Sequence, residues 1–230
     1  MEIISGKIMG IDHRGLLIGA AYDNIDRAIL RKYDSVQIGL PDGRTISPEQ
    51  RKKAHALISE IAEWQGDAPE ETKRLLKLEF IVDRMEALER KMFSLSDCSV
   101  TDAREFITYL IDFVLRMDVP TRVPLYELCD DITKYVYSCL KHKKCLCCGQ
   151  EAELHHSTAV GMGRNRNEIF QLGMMVQPIC RIHHNDCHRI GQAEFDKVFH
   201  LTSVELTKDI GKVYGLSKKN LEVTYASEVG

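Results

Sequence analysis

Cys145-Leu-Cys147-Cys148-Gly149 contains a C-x-x-C pair closed by glycine, and Cys180-Arg-Ile-His183 supplies a C-x-x-H pair about thirty residues later. Three thiolates and one imidazole at that spacing complete a four-coordinate set with no open position, the structural kind of zinc site. Such an ion supplies folding free energy to a short segment that has little core. Cys187 also lies within helical reach of Cys180 and is an alternative to His183 as fourth ligand, whereas Cys147 has no part in the set.

A second set of donors stands beside the first. His184 and His188 are i and i+4, so on a helix both rings leave one face and can grip a single cation. His155 and His156 close a predicted short strand, where alternation turns neighbouring side chains opposite ways. One of them can join the cation while the other meets a phosphate. Three imidazoles leave coordination positions open, and the chemistry that suits this is phosphodiester hydrolysis. The ion would draw charge from the phosphoryl group and steady the leaving 3′ oxygen, and the remaining imidazole would take a proton from water.

The rest of the chain must position these groups. It has 230 residues, ordinary apolar and charged fractions, and a net charge of −3. Eight cysteines are present, six of them between 139 and 187. The opening MEIISGKIMG lacks the layout of a signal peptide and no apolar run is long enough to span a bilayer, so a cytosolic protein with reduced thiols and no membrane contact is expected. Residues 141–191 carry seven Lys/Arg against four Asp/Glu, a local balance of +3, so only the Cys/His segment is suited to meet phosphates.

Residues 3–22 predict a hairpin, 24–33 a short helix and 36–40 a strand closed by a Pro41-Asp42-Gly43 turn. Ser47-Pro48-Glu49 is a strong helix start, with Ala54, Leu57, Ile58 and Ile61 on one face. Pro69 opens the next helix, with Leu75, Leu76, Phe80 and Ile81 inward. Ser99 or Thr101 caps a helix over 102–115, and 125–142 reads as one further helix. Cys98, Cys129 and Cys139 fall on apolar-patterned segments and read as packing residues; His13, His55, His142 and His200 have no ligand company. The expected fold class is α+β: a helix-rich α+β domain over 1–140, a small zinc-stapled module over 141–216, and a C-terminal tail over 217–230.

The order C-x-x-C-G, then HH, then C-x-x-[CH]-H-x-x-x-H resembles the HNH (ββα-metal) endonucleases, among them those with a zinc knuckle beside the active site. The resemblance covers roughly 141–200. It implies that His155, His184 and His188 hold a catalytic cation, that His156 is the general base, and that Cys145, Cys148, Cys180 and His183 hold zinc. The reaction implied is hydrolysis of DNA with Mg²⁺ or Mn²⁺, with Ni²⁺ or Zn²⁺ as further candidates. The family's middle Asn lies nine residues before the first His of the final pair, which is Met175 here; Asn167 or Asn165 in the preceding loop is then the orienting residue. Arg164, Arg166, Lys143 and Lys144 are the expected DNA contacts.

The whole chain is also similar to phage-encoded HNH nucleases that share its Ser94–Ser99 and Asp102–Ile107 segments. Its N-terminal half resembles the Orf recombination mediators of lambdoid phages. That likeness implies single-stranded or branched DNA as ligand, single-strand-binding protein as partner, a homodimer, and a role in phage recombination or replication. Two other readings compete. One is a non-cleaving, zinc-stabilised mediator whose HNH motif has decayed; the other is a purely structural zinc protein.

Overall fold

Ser47 and Pro48 do start a long helix. The computed structural model describes residues 6–13, 15–21, 25–32, 43–83, 92–157 and 170–221; the expected strand at 36–40 and most of the turn after it lie outside them. Among the described residues the architecture is α+β, with helices dominant and two small antiparallel sheets. The chain divides into a compact unit over 1–42 and a larger one over 43–230.

In the first unit, β1 (Gly6–Asp12) pairs with β2 (Gly15–Ala20) as the predicted hairpin, with a register shift between Ile8 and Gly10. The short α1 (Ile25–Leu30) follows. Apolar side chains such as Met9, Ile11 and Leu17 stay exposed on the hairpin.

The larger unit begins with α2 (Pro48–Gln65), α3 (Pro69–Asp83) and α4 (Val100–Met117). Ser47 Oγ accepts the Gln50 N–H at 3.1 Å while Gln50 Oε1 accepts the Ser47 N–H at 3.1 Å, a reciprocal capping box. Ser99, not Thr101, caps α4 by accepting the Asp102 N–H at 3.0 Å. In α3 the inward stripe is Thr72, Leu76, Phe80 and Ile81; Leu75, expected inside, is 42% exposed because it lies one position off that stripe.

The single helix expected over 125–142 is two: α5 (Leu125–Leu128) and α6 (Ile132–His142). Side chains from distant segments break it. Lys53 Nζ donates to the Cys129 carbonyl at 2.9 Å, and Gln50 Nε2 and Arg104 Nε reach Asp130 Oδ2 at 2.8 and 3.2 Å. Asp131 then accepts the Lys134 N–H at 3.1 Å and opens α6 as a fresh N-cap.

The second sheet has the order β3-β4-β5, from β3 (Glu153–His156), β4 (Met175–Ile179) and β5 (Val204–Glu205). Behind β4 come α7 (Arg181–Ile190) and α8 (Gln192–Phe199), and β5 leads to α9 (Lys208–Val213) and α10 (Lys218–Leu221). α6 packs against α4 and also against β4 and β5. One buried apolar cluster therefore runs from Ile46 through Leu140 to Val176 and Ile210. Among the described residues, no helix is long and apolar enough to cross a membrane.

Candidate metal centre

Residues 143–152 form a tight knuckle. Cys145 N donates to the Gln150 carbonyl at 2.7 Å, and Gly149, at φ +70°, donates to the Cys145 carbonyl at 2.9 Å. That left-handed turn is the reason for glycine after the second cysteine. Leu146 N bonds the Pro178 carbonyl at 3.1 Å and Tyr135 Oη donates to the Leu146 carbonyl at 2.7 Å, which fix the knuckle to β4 and α6.

Cys180 ends β4 as the N-cap of α7, and His183 occupies the first turn of that helix. The ligand atoms of Cys145, Cys148, Cys180 and His183 consequently lie within 4.8 Å of one another. Around a tetrahedral zinc ion, sulfurs bound at about 2.3 Å sit about 3.8 Å apart, and a nitrogen bound at about 2.0 Å sits about 3.5 Å from each sulfur. Cys148 and Cys180 Sγ are 3.8 Å apart, and His183 Nδ1 is 3.5 Å from Cys145 Sγ and 3.2 Å from Cys180 Sγ. The donor set fits zinc in both chemistry and size.

A hydrogen bond from the Cys147 thiol, with main-chain N–H groups of Cys180, Cys147 and Cys148, holds Cys145 down to about 4 against its burial. Burial and the anionic Cys145 push Cys148 up to about 12. Cys148 would ionise beside the Cys145 thiolate at neutral pH only with a positive charge between them. Cys187 is not at the knuckle; its Sγ lies 3.7 Å from His155 Nε2.

The second cluster draws on β3 and α7. His155, His184 and His188 offer ligand atoms within 4.8 Å of one another, and their ring centroids are 4.7 to 5.7 Å apart. His155 is buried, His184 half-buried and His188 exposed, so the cluster opens to solvent on one side. Burial keeps the His155 imidazole below its ordinary pKa, and the neighbouring His184 and His188 act the same way, against the hydrogen bond to Gln192.

Three residues behind this cluster carry no motif. Gln192 Oε1 accepts from His155 Nε2 at 2.9 Å, which leaves Nδ1 as the nitrogen with a lone pair. Gln192 Nε2 in turn donates to Gln177 Oε1 at 3.0 Å and to Asp196 Oδ1 at 2.9 Å, and Gln177 Nε2 donates to the same carboxylate at 2.6 Å. Gln177 is fully buried and directly opposite His155 in the β3–β4 register. The one available signal was an amide inside the apolar run Met-Val-Gln-Pro-Ile. On the outer side, Glu153 lies 3.5 Å from His184 Nδ1 and pairs with Arg181 at 2.7 Å.

His156 follows His155 on β3, and its Nε2 is 3.1 Å from Gln171 Oε1. Lys143 and Lys144 open the knuckle. Lys143 Nζ lies over the Tyr214 ring at 5.6 Å, and Lys144 pairs with Asp118. Arg164, Asn165, Arg166 and Asn167 lie outside the described residues.

A closed Cys₃His knuckle beside an open three-imidazole cluster, on a strand–strand–helix frame, defines an α+β protein with two groups of side chains that could hold metal ions. The chain belongs to the family described as "putative HNHc nuclease", whose model matches residues 23–217. Its function is therefore of the nuclease type, and HNH nucleases are metal-dependent. No curated protein and no solved structure matches the chain.

Proposed function

We propose that this protein is a divalent-metal-dependent DNA endonuclease, with His155, His184 and His188 as ligands of the catalytic cation, Cys145, Cys148, Cys180 and His183 as ligands of a structural zinc, and His156 as general base. The observation that carries the reading is the convergence of three imidazoles from β3 and α7 beside the closed knuckle. Mg²⁺ or Mn²⁺ serves as the cation, with Ni²⁺ or Zn²⁺ as alternatives. When bound, it draws charge from the phosphoryl group and stabilises the leaving 3′ oxygen. His156 removes a proton from water as the water oxygen bonds to phosphorus and the P–O3′ bond breaks, and the departing O3′ takes a proton from solvent, which leaves a 5′-phosphate and a 3′-hydroxyl. Gln192 and Glu153 orient the rings of His155 and His184. Arg164 and Arg166, with Lys143 and Lys144, contact phosphates, and Asn167, between β3 and β4 in the sequence, adds a second support to the base. Likeness to phage-encoded HNH nucleases supports a role in phage recombination or replication.

Met175, at the position of the family's middle Asn, favours a second reading: a non-cleaving, zinc-stabilised mediator that binds single-stranded DNA. The test is cleavage of single-stranded and branched DNA by wild type and His156→Ala in EDTA, Mg²⁺, Mn²⁺ and Ni²⁺. Cation-dependent cutting that falls about 10²- to 10⁴-fold in the variant, with DNA binding kept, is the expected result. Loss of binding together with cutting would make His156 structural. DNA bound but never cut by wild type would favour the mediator.

A further inference from the structure

Met175 offers the base only a thioether. Its carbonyl accepts the Ser157 N–H at 2.9 Å, and it pairs with Glu205 in β5. Four residues earlier, Gln171 reaches His156 directly, with Oε1 3.1 Å from Nε2. Gln171 is 4% exposed, which is unusual for an amide unless a partner repays its lost hydration.

Its backbone is fixed separately from that contact. Gln171 N donates to the Asn220 carbonyl at 2.8 Å, and its own carbonyl accepts from Met174 N at 3.0 Å. Gly173, at φ +78°, donates to the Leu206 carbonyl at 3.0 Å, and Leu206 N returns to the Met174 carbonyl at 2.8 Å. α10 is pinned as well. Asn220 Oδ1 accepts from Ser217 N at 3.2 Å and from Ser217 Oγ at 2.6 Å. Leu221 packs on Gly211 so closely that a Cβ there would come within 2.4 Å of its Cδ2. Residues 204–221 thus serve as a clamp that presents one buried amide oxygen to the end of β3.

We propose that Gln171 is the positioning residue for His156, in the place of the Asn that the family motif carries at Met175. Its oxygen accepts the Nε2 proton, so the neutral imidazole is held as the tautomer whose lone pair is on Nδ1. Ring orientation and basic nitrogen are then both set before substrate arrives. This rests on the reading of His156 as the base.

The test uses the full, zinc-loaded chain with Gln171→Met, which keeps length and removes the acceptor, and Gln171→Glu, which keeps both. Two-bond ¹⁵N–¹H correlations of the His156 ring, recorded without the catalytic cation, report the tautomer independently of cleavage. Wild type and Gln171→Glu are expected to show the Nε2–H form, and Gln171→Met a mixture. In cleavage assays Gln171→Met should lower kcat about 10- to 100-fold with KM unchanged, and Gln171→Glu should recover it. If Gln171→Met does not fold, Gln171→Asn, which withdraws the oxygen by one methylene, carries the same readouts. An unchanged Nε2–H population without the acceptor overturns the proposal, as does an unchanged kcat. Failure of wild type to cut DNA would instead sink the nuclease reading, and the ring spectra would still decide the role of Gln171.

Discussion

α4 buries eight residues, from Ala103 and Phe106 to Val114 and Leu115, whereas α7, with ten residues, buries only Cys187. α4 has a continuous apolar face, and Phe106 at its centre meets Phe80, Phe93 and Tyr109 with ring centroids 5.2 to 6.3 Å apart. α7 instead presents His183, His184 and His188, groups that gain nothing from leaving water unless a cation meets them. The difference separates two ways of placing a helix. One removes apolar area from water, at roughly 25 cal/mol per Å². The other, on the proposed metal sites, would use coordinate bonds, which fix direction as well as proximity and suit a helix whose outer face must stay open to a substrate.

Removal of the knuckle ion tests this contrast most severely, because structural zinc contributes apparent free energies of about 10–16 kcal/mol. With Cys180→Ser or a strong chelator, one zinc per chain should be lost and the α7 amides should exchange rapidly, while those of α4 stay protected in hydrogen exchange. Equal loss of protection in both helices would break the comparison and make the larger unit one cooperative whole. A smaller effect is expected from the opposite side: Phe106→Ala, at a position with no exposed surface, should lower unfolding free energy by about 3–5 kcal/mol in denaturant titration. Zinc stoichiometry should be unchanged. Smallest is Gln192→Leu, which removes the partner of His155 and should weaken Mn²⁺ or Ni²⁺ binding about 10- to 100-fold by calorimetry. Unaltered affinity would reduce the Gln192–Gln177–Asp196 network to packing.

What could be read from the sequence was local. The starts of α2 and α4 depend on Ser47 and Ser99 bonding three residues ahead, and the two x-x pairs of the knuckle are equally short-range. The break between α5 and α6 was not legible, because Lys53, Gln50 and Arg104 act on it from 76, 80 and 26 residues away. The outward turn of Leu75 likewise depends on where α2 and α4 lie. In the candidate site, histidines and cysteines announce themselves through spacing, but Gln171, Gln177 and Gln192 do not. An amide has no fixed motif, and each takes its part only when β3, β4 and α8 are assembled.

α7 belongs to both clusters, since His183 faces the knuckle and His184, the next residue, faces the three imidazoles. Each residue turns a helix by about 100°, so one inserted residue between them would swing His184 and His188 away from His155 while His183 kept its place. The stretch from Cys180 to His188 therefore has no slack in length. Ile182, 72% exposed, and Asn185, also outward, can drift in identity over evolutionary time, but a gap or an extra residue cannot be absorbed. Divergence in this segment should be seen as substitutions alone, with changes in chain length confined to stretches beyond β4 and α8.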